Sequence, residues 1–242
     1  MPTPPGNEPI EQVLWLLETN NGCQLPCWWG ITPGQTTWES AERFFNSFVT
    51  DIPYVSGSSV INYSPRIPLP FEVFGVDYLL PTYTVRDGIV ISINVDVYVL
   101  SAPVDPTPSY LMPYVLSAFL TSMGQPTEVW LFTYSYSYEN HVPFSVVLFY
   151  RPQGVVAIYG DNGEIQGDFV QGCPQETPVH VLLLKPSNSG QTFQQIKSGT
   201  SVLNREYLPL EEATGLDVAT FYETFRQPEN TTCLQTPAEL WR

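Results

Sequence analysis

Apolar residues enter the chain at helical spacing. Ile10, Val13, Leu14 and Leu17 fall at i, i+3, i+4 and i+7, one stripe of a helix over 8–19. Asn20-Asn21-Gly22 supplies residues that tolerate a left-handed backbone and ends it. A second stripe, Trp38, Ala41, Phe45 and Phe48, follows Thr36. With Glu39 three residues on, Thr36 is expected to open that helix as a capping box. The period then falls to two. Strands are expected at 57–63, 71–80, 82–86 and 89–99, with Arg86-Asp87-Gly88 as a hairpin turn.

A helix is expected next over 109–123, with Leu116, Phe119, Leu120 and Met123 on one face and Gly124-Gln125-Pro126 as its stop. Strands follow at 128–138, 144–151 and 154–159. Asn162-Gly163 reads as a two-residue hairpin turn into a strand near 164–170. Helix-then-meander thus occurs twice. Tyr83-Thr84-Val85-Arg86-Asp87-Gly88-Ile89-Val90 resembles Tyr150-Arg151-Pro152-Gln153-Gly154-Val155-Val156 with one residue deleted, which reads as a diverged internal duplication.

The last third breaks this rhythm. His180 opens a short apolar strand, and 187–201 is polar and loop-rich with one helical turn. Asp217 caps a helix over 218–226, with Leu216 and Phe221 as a hydrophobic staple. The expected architecture is α+β: two diverged helix-plus-antiparallel-sheet units at 10–101 and 108–172, separated by the Pro-rich connector 102–108. A linker at 1–9 precedes them, and a disulfide-tied C-terminal segment at 173–242 follows.

Composition narrows the compartment and the partners. The 242 residues are 43% apolar and 14% aromatic, enough for a packed core, but only 14% are charged. Nine basic residues stand against 24 acidic ones, a net charge of −15. A field of that sign repels phosphate backbones and anionic lipid, which argues against nucleic acid as a partner. No stretch reaches the roughly 18–20 apolar residues of a membrane span. The Pro-rich start, Met1 to Pro9, reads as a linker left by a removed signal or lipid anchor.

Four cysteines allow three pairings. Cys23 and Cys27 flank the short loop Gln24-Leu25-Pro26, and Cys173 and Cys233 lie in loop-like sequence, so the expected bridges are Cys23–Cys27 and Cys173–Cys233. The second closes a loop worth ~4 kcal/mol by chain entropy. A four-cysteine zinc site usually shows two short cysteine pairs, and only one is present. Disulfides point to an extracellular or surface-anchored protein.

Gly34-Gln35-Thr36-Thr37-Trp38-Glu39-Ser40-Ala41 resembles the Gly-x-Thr-x-x-Glu turn that feeds a helix in the superfamily of BamE-like lipoproteins and β-lactamase inhibitory proteins. Met123-Gly124-Gln125-Pro126-Thr127-Glu128-Val129-Trp130 is similar to the helix-end and first-strand motif of the same superfamily. The resemblance covers residues ~34–160 and implies helices on one face of a small antiparallel sheet, used as a binding scaffold. No functional residue transfers from it. The segments Cys23–Gly34 and Pro209–Leu216 look like parts of secreted proteins and lipoproteins of environmental bacteria, which implies a compartment and no activity.

Catalytic chemistry finds little purchase. His141 and His180 are the only histidines, and there is no Gly-x-Ser-x-Gly elbow. Glu211 with Glu212, or Asp161 with Glu164 and Asp168, could form a glycosidase pair, but both groups read as helix-end or hairpin charge. Asp161-Asn162-Gly163-Glu164 lacks calcium-loop spacing and fits a type I′ turn. No metal or cofactor is expected.

The aromatic strand is the best surface candidate. Trp130, Phe132, Tyr134, Tyr136 and Tyr138 share one parity, and Leu131, Thr133, Ser135 and Ser137 the other. Trp130 and Phe132 are expected under the helices. Tyr134, Tyr136 and Tyr138, with His141, are the candidate binding residues at a tip that reaches water. Trp28 and Trp29 are expected to be buried around the first disulfide. The leading expectation is a non-catalytic extracytoplasmic binding or structural protein acting through protein–protein contacts at the cell surface. The alternatives are carbohydrate binding on the Tyr-rich strand and a carboxylate-based glycoside hydrolase.

These bridges have a direct check. A thiol-alkylating reagent applied to the unfolded, unreduced chain should label none of the four cysteines, and intact mass spectrometry reads the count.

Overall fold

A computed structural model describes residues 8–49, 51–70, 78–96, 109–135, 141–176 and 178–241. Most of the expected N-terminal linker, most of the strand 71–80, the connector 102–108, Tyr136 and Tyr138 lie outside the described residues. The fold is α+β with antiparallel pairing, and both expected disulfides form. The helices are α1 (Pro9–Thr19), α2 (Trp38–Phe45), α3 (Leu116–Met123), α4 (Phe193–Ser198), α5 (Leu210–Thr214) and α6 (Val218–Phe225). The strands run β1 (Tyr54–Ser56), β2 (Ile61–Tyr63), β3 (Ile67–Pro68), β4 (Tyr78–Leu79), β5 (Thr82–Arg86), β6 (Ile89–Asp96), β7 (Glu128–Phe132), β8 (His141–Tyr150), β9 (Val155–Gln166), β10 (Phe169–Gly172), β11 (Val181–Leu184), β12 (Leu208–Pro209) and β13 (Leu234–Pro237). No helix among the described residues is long and apolar enough to cross a membrane.

The chain divides into two compact units. The first takes residues up to Pro113 together with Pro152–Val155 and His180–Ser189. Its strands lie in the order β1-β2-β5-β6-β11, with β3 and β4 as a separate pair. Asp87 and Gly88, both at positive φ (50° and 77°), turn β5 into β6 as the sequence predicts. Helix α2 packs on this sheet through aromatic rings. Trp38 stacks on Tyr63 at 3.9 Å, and Phe45 meets Tyr83 edge-on at 5.1 Å. Its cap sits one residue later than expected. Thr37 accepts the Ser40 N–H, because the Thr36 hydroxyl is taken by the Thr32 N–H at 2.8 Å and the Thr36 carbonyl by the Val90 N–H. Of the expected strand 57–63 only β2 forms; its first residues make a turn, closed by Gly57 N–H to the Val60 carbonyl, that joins β2 to the unexpected β1.

Asn20 ends α1 in the left-handed conformation, and its side chain then organises the next loop. The amide nitrogen donates to the carbonyls of Cys23 and Cys27 at 2.9 and 2.8 Å, and the amide oxygen accepts the Trp29 N–H at 2.8 Å. Trp28 and Ile31 exchange both backbone hydrogen bonds, so Trp29 and Gly30 form a two-residue turn at φ 56° and 90°. The two indoles stack at 5.2 Å and are buried.

The second unit holds Tyr114–Arg151, Val156–Val179 and Gly190–Arg242. The expected helix 109–123 divides. Ser109–Tyr114 is 3-10 with Pro113 inside it, and Val115 is extended (φ −69°, ψ 148°) and bridges Pro178, so α3 starts at Leu116. Strands order as β9-β8-β7-β12, with β10 pairing both β9 and β13. Helix α6 packs against α3, and α5 against β7, β12 and β13. Asp217 caps α6 by accepting the Thr220 N–H at 2.7 Å, a bond that lowers its pKa. Thr192 and Gln195 form a capping box for α4, in the stretch expected to be mostly loop.

The Asn162-Gly163 turn is a misreading. Both residues lie inside β9, and the chain reverses at Gly167 (φ 62°) and Asp168 instead. The reason is a ring. A Cβ on Gly163 would stand 3.0 Å from the Phe144 Cβ, and one on Gly172 would collide with the Phe144 ring. Glycine serves here as space for a neighbour rather than as a turn former. The Cys173–Cys233 bridge follows directly, next to the register pair Gly172 and Leu234 that joins β10 to β13.

Gly172→Ala should therefore cost about 1–3 kcal/mol through overpacking, read as a lower urea midpoint. Gly167→Asn, at a left-handed position with open space around it, should cost under about 1 kcal/mol.

Candidate functional site: an aromatic face with unpaired cations

The regular strand at the candidate surface stops at Phe132, and 133–135 lie outside it, while 136–138 of the expected strand fall outside the described residues. Both faces of β7 are covered, contrary to a single buried parity. Val129, Leu131 and Thr133 are buried on one side, and Phe132 is buried on the other. The cause is that β7 pairs with β8 and β12, while Phe193 of α4 stacks on Trp130 at 4.6 Å and Tyr207 meets Phe132 at 5.6 Å. Trp130 is further fixed by donating its indole N–H to Glu128 at 3.0 Å, and Glu128 pairs with Arg151.

Tyr134 emerges just past the strand end, 44% exposed. Its ring is edge-on to Phe132 at 4.9 Å. The Arg205 guanidinium lies 5.0 Å from the Phe132 centroid and 5.9 Å from that of Tyr134, and its Nη1 donates to the Tyr134 hydroxyl at 2.8 Å. Cation–π attraction and a charged hydrogen bond thus hold one exposed arginine and one exposed tyrosine in a fixed pair. Behind them Tyr207 meets Phe193 edge-on at 5.9 Å, with Lys197 Nζ 6.0 Å from the Tyr207 ring. Burial pushes the Tyr207 hydroxyl up to about 12, and the Arg205 charge pulls the other way.

Beside this face, α4 and the 3-10 turn Ser201–Leu203 border a groove of about 500 Å³. Gln194, Lys197, Ser198, Thr200, Ser201 and Asn204 line it. Neither Lys197 nor Arg205 joins a salt bridge among the described residues. No Asp or Glu occurs from residue 177 to residue 205, in a chain with 24 of them.

Of the residues singled out in the sequence, Tyr134 stands in this cluster. His141 is exposed at the start of β8, and its side chain makes no hydrogen bond or ion pair to the described residues. Glu211 and Glu212 are exposed on the first turn of α5, and Glu164 and Asp168 are exposed at β9 and the turn after it. Among the described residues no group of three or more His, Cys, Asp or Glu is placed to hold a metal ion. Arg205, Lys197 and Tyr207 escaped the sequence reading. For Lys197 and Arg205 the one local signal was the acid-free stretch that contains the chain's only two lysines, Lys185 and Lys197. The chain matches no family model, no curated protein and no solved structure.

Arg205→Gln should change stability by less than about 0.5 kcal/mol, because the side chain is exposed. Phe193→Ala, which removes a buried ring from between Trp130 and Tyr207, should cost about 3–5 kcal/mol. Urea unfolding of both variants separates the surface of this cluster from its support.

Proposed function

We propose that this chain is a non-catalytic binding protein that works outside the cytoplasm and holds a protein partner on the Tyr134–Arg205 face. The observation that carries the reading is the 2.8 Å hydrogen bond that joins Tyr134 to Arg205 across 71 residues of sequence. Tyrosine and arginine supply a large share of binding energy at protein interfaces. A pair already ordered in the free protein loses less side-chain freedom on binding. The buried Phe132, Tyr207 and Trp241 beneath it give the pair a rigid floor. The two disulfides fit an oxidising compartment, and the BamE-like reading of residues ~34–160 points to the same class of non-enzymatic scaffold.

A photoreactive amino acid at position 134 should cross-link one partner in the protein's own extracytoplasmic fraction, and Arg205→Ala should abolish that product. With the partner purified, Tyr134→Ala should weaken binding about tenfold or more, the range of interface anchors. Equal cross-linking from Tyr54, in the other unit, would remove the assignment to this face. Glycoside turnover that Glu211→Gln abolishes would replace it with the hydrolase reading.

A further inference from the structure

We infer that the groove beside α4 binds an acidic saccharide, a hydroxyl-rich ring carrying a carboxylate. The site goes beyond the protein-binding reading and does not depend on it. Its lining is the first argument. Gln194 and Asn204 bring amides, Ser198, Thr200 and Ser201 bring hydroxyls, and Lys197 brings an ammonium. Ligand pockets of this size are ordinarily walled by apolar side chains, and these six are all polar. An apolar ligand would strip water from them and return no hydrogen bonds. A sugar matches amide and hydroxyl groups with donors and acceptors of its own.

Their hydrogen-bonding capacity is open. Among the described residues the side chains of Gln194, Thr200, Ser201 and Asn204 make no hydrogen bond, since the α4 cap is made by Thr192 with Gln195 instead. Ser198 donates to the Gln195 carbonyl at 3.0 Å and keeps its acceptor lone pairs.

Charge supplies the second argument. Arg66, Arg151 and Arg226 each stand beside a carboxylate. Lys197 does not, and the acid-free stretch from 177 to 205 keeps its surroundings in the sequence free of negative charge. Lys197 is half-buried and held toward the Tyr207 ring, which limits the positions its ammonium can take. A polar groove with oriented positive charge, on a chain whose net field repels anions, selects a ligand that brings both hydroxyls and a carboxylate.

The test uses the whole chain and four probes at matched ionic strength: trigalacturonate, neutral galactotriose, a triglutamate peptide and sodium acetate. Amide chemical shifts of Gln194, Ser198, Thr200 and Asn204 report the site, and calorimetry gives the affinity. Trigalacturonate should move these amides, with galactotriose and triglutamate each about tenfold weaker or more, a factor in line with one charged hydrogen bond. Lys197→Gln should lower trigalacturonate affinity about tenfold, Lys197→Arg should restore most of it, and Tyr134→Ala should leave it within about twofold. That last variant separates this site from the protein-binding face. Triglutamate or acetate binding as tightly as trigalacturonate would reduce the groove to a charge sink and overturn the inference. So would unshifted amides, or full affinity in Lys197→Gln with an unchanged melting temperature.

Discussion

Phe132 gathers four side chains from three separate parts of the chain. Tyr134 comes from the end of its own strand, Arg205 and Tyr207 from the segment before β12, and Trp241 from the C-terminal tail. Its ring is buried, so the groups around it are positioned by packing rather than by mobile surface contacts. The exposed chemistry of the second unit stands on that arrangement. If Phe132 shifted, the guanidinium would lose the ring beneath it and Tyr134 would lose its edge contact. Trp241 is held from below by a buried hydrogen bond from its indole N–H to Thr236 at 2.9 Å, which ties the tail to β13.

The parts of the fold that could be read from the sequence are those set by neighbours in the chain. The α1 helix, the Asp87-Gly88 turn, the Asp217 cap and both disulfides follow from local spacing and residue chemistry, although α1 buries Leu16 and exposes Ile10 of the expected stripe. The misread parts depend on residues far away. Asn162-Gly163 has turn-forming chemistry, yet the Phe144 ring needs the room that Gly163 leaves, and packing overrode local preference. Thr36 and Thr37 are equivalent as caps by type. The choice between them was made by the β5–β6 hairpin, which engages the Thr36 carbonyl through Val90.

The candidate site follows the same rule. Tyr134 was visible as one member of an aromatic alternation that leads to a polar tip. Arg205 was not, because nothing in Leu203-Asn204-Arg205-Glu206 says that β12 will pair with β7 and bring it over Phe132. Periodicity also overstated the strand. Alternation continues to Tyr138 in the sequence, but the pairing with β8 ends at Phe132 and Ser145. Composition was informative in an indirect way. A net charge of −15 describes the whole chain, while residues 177–205 carry no acid at all, and the average conceals the exception.

The Cys173–Cys233 bridge has a consequence for a chain that has been cut. It spans 60 positions, and the segment it encloses includes α4, β12, α5 and α6. A secreted protease that nicked an exposed turn within that span would sever the backbone without freeing either piece. Sulfur would keep β13 beside β10, and the severed polypeptide would still run as a single species until a reductant was added.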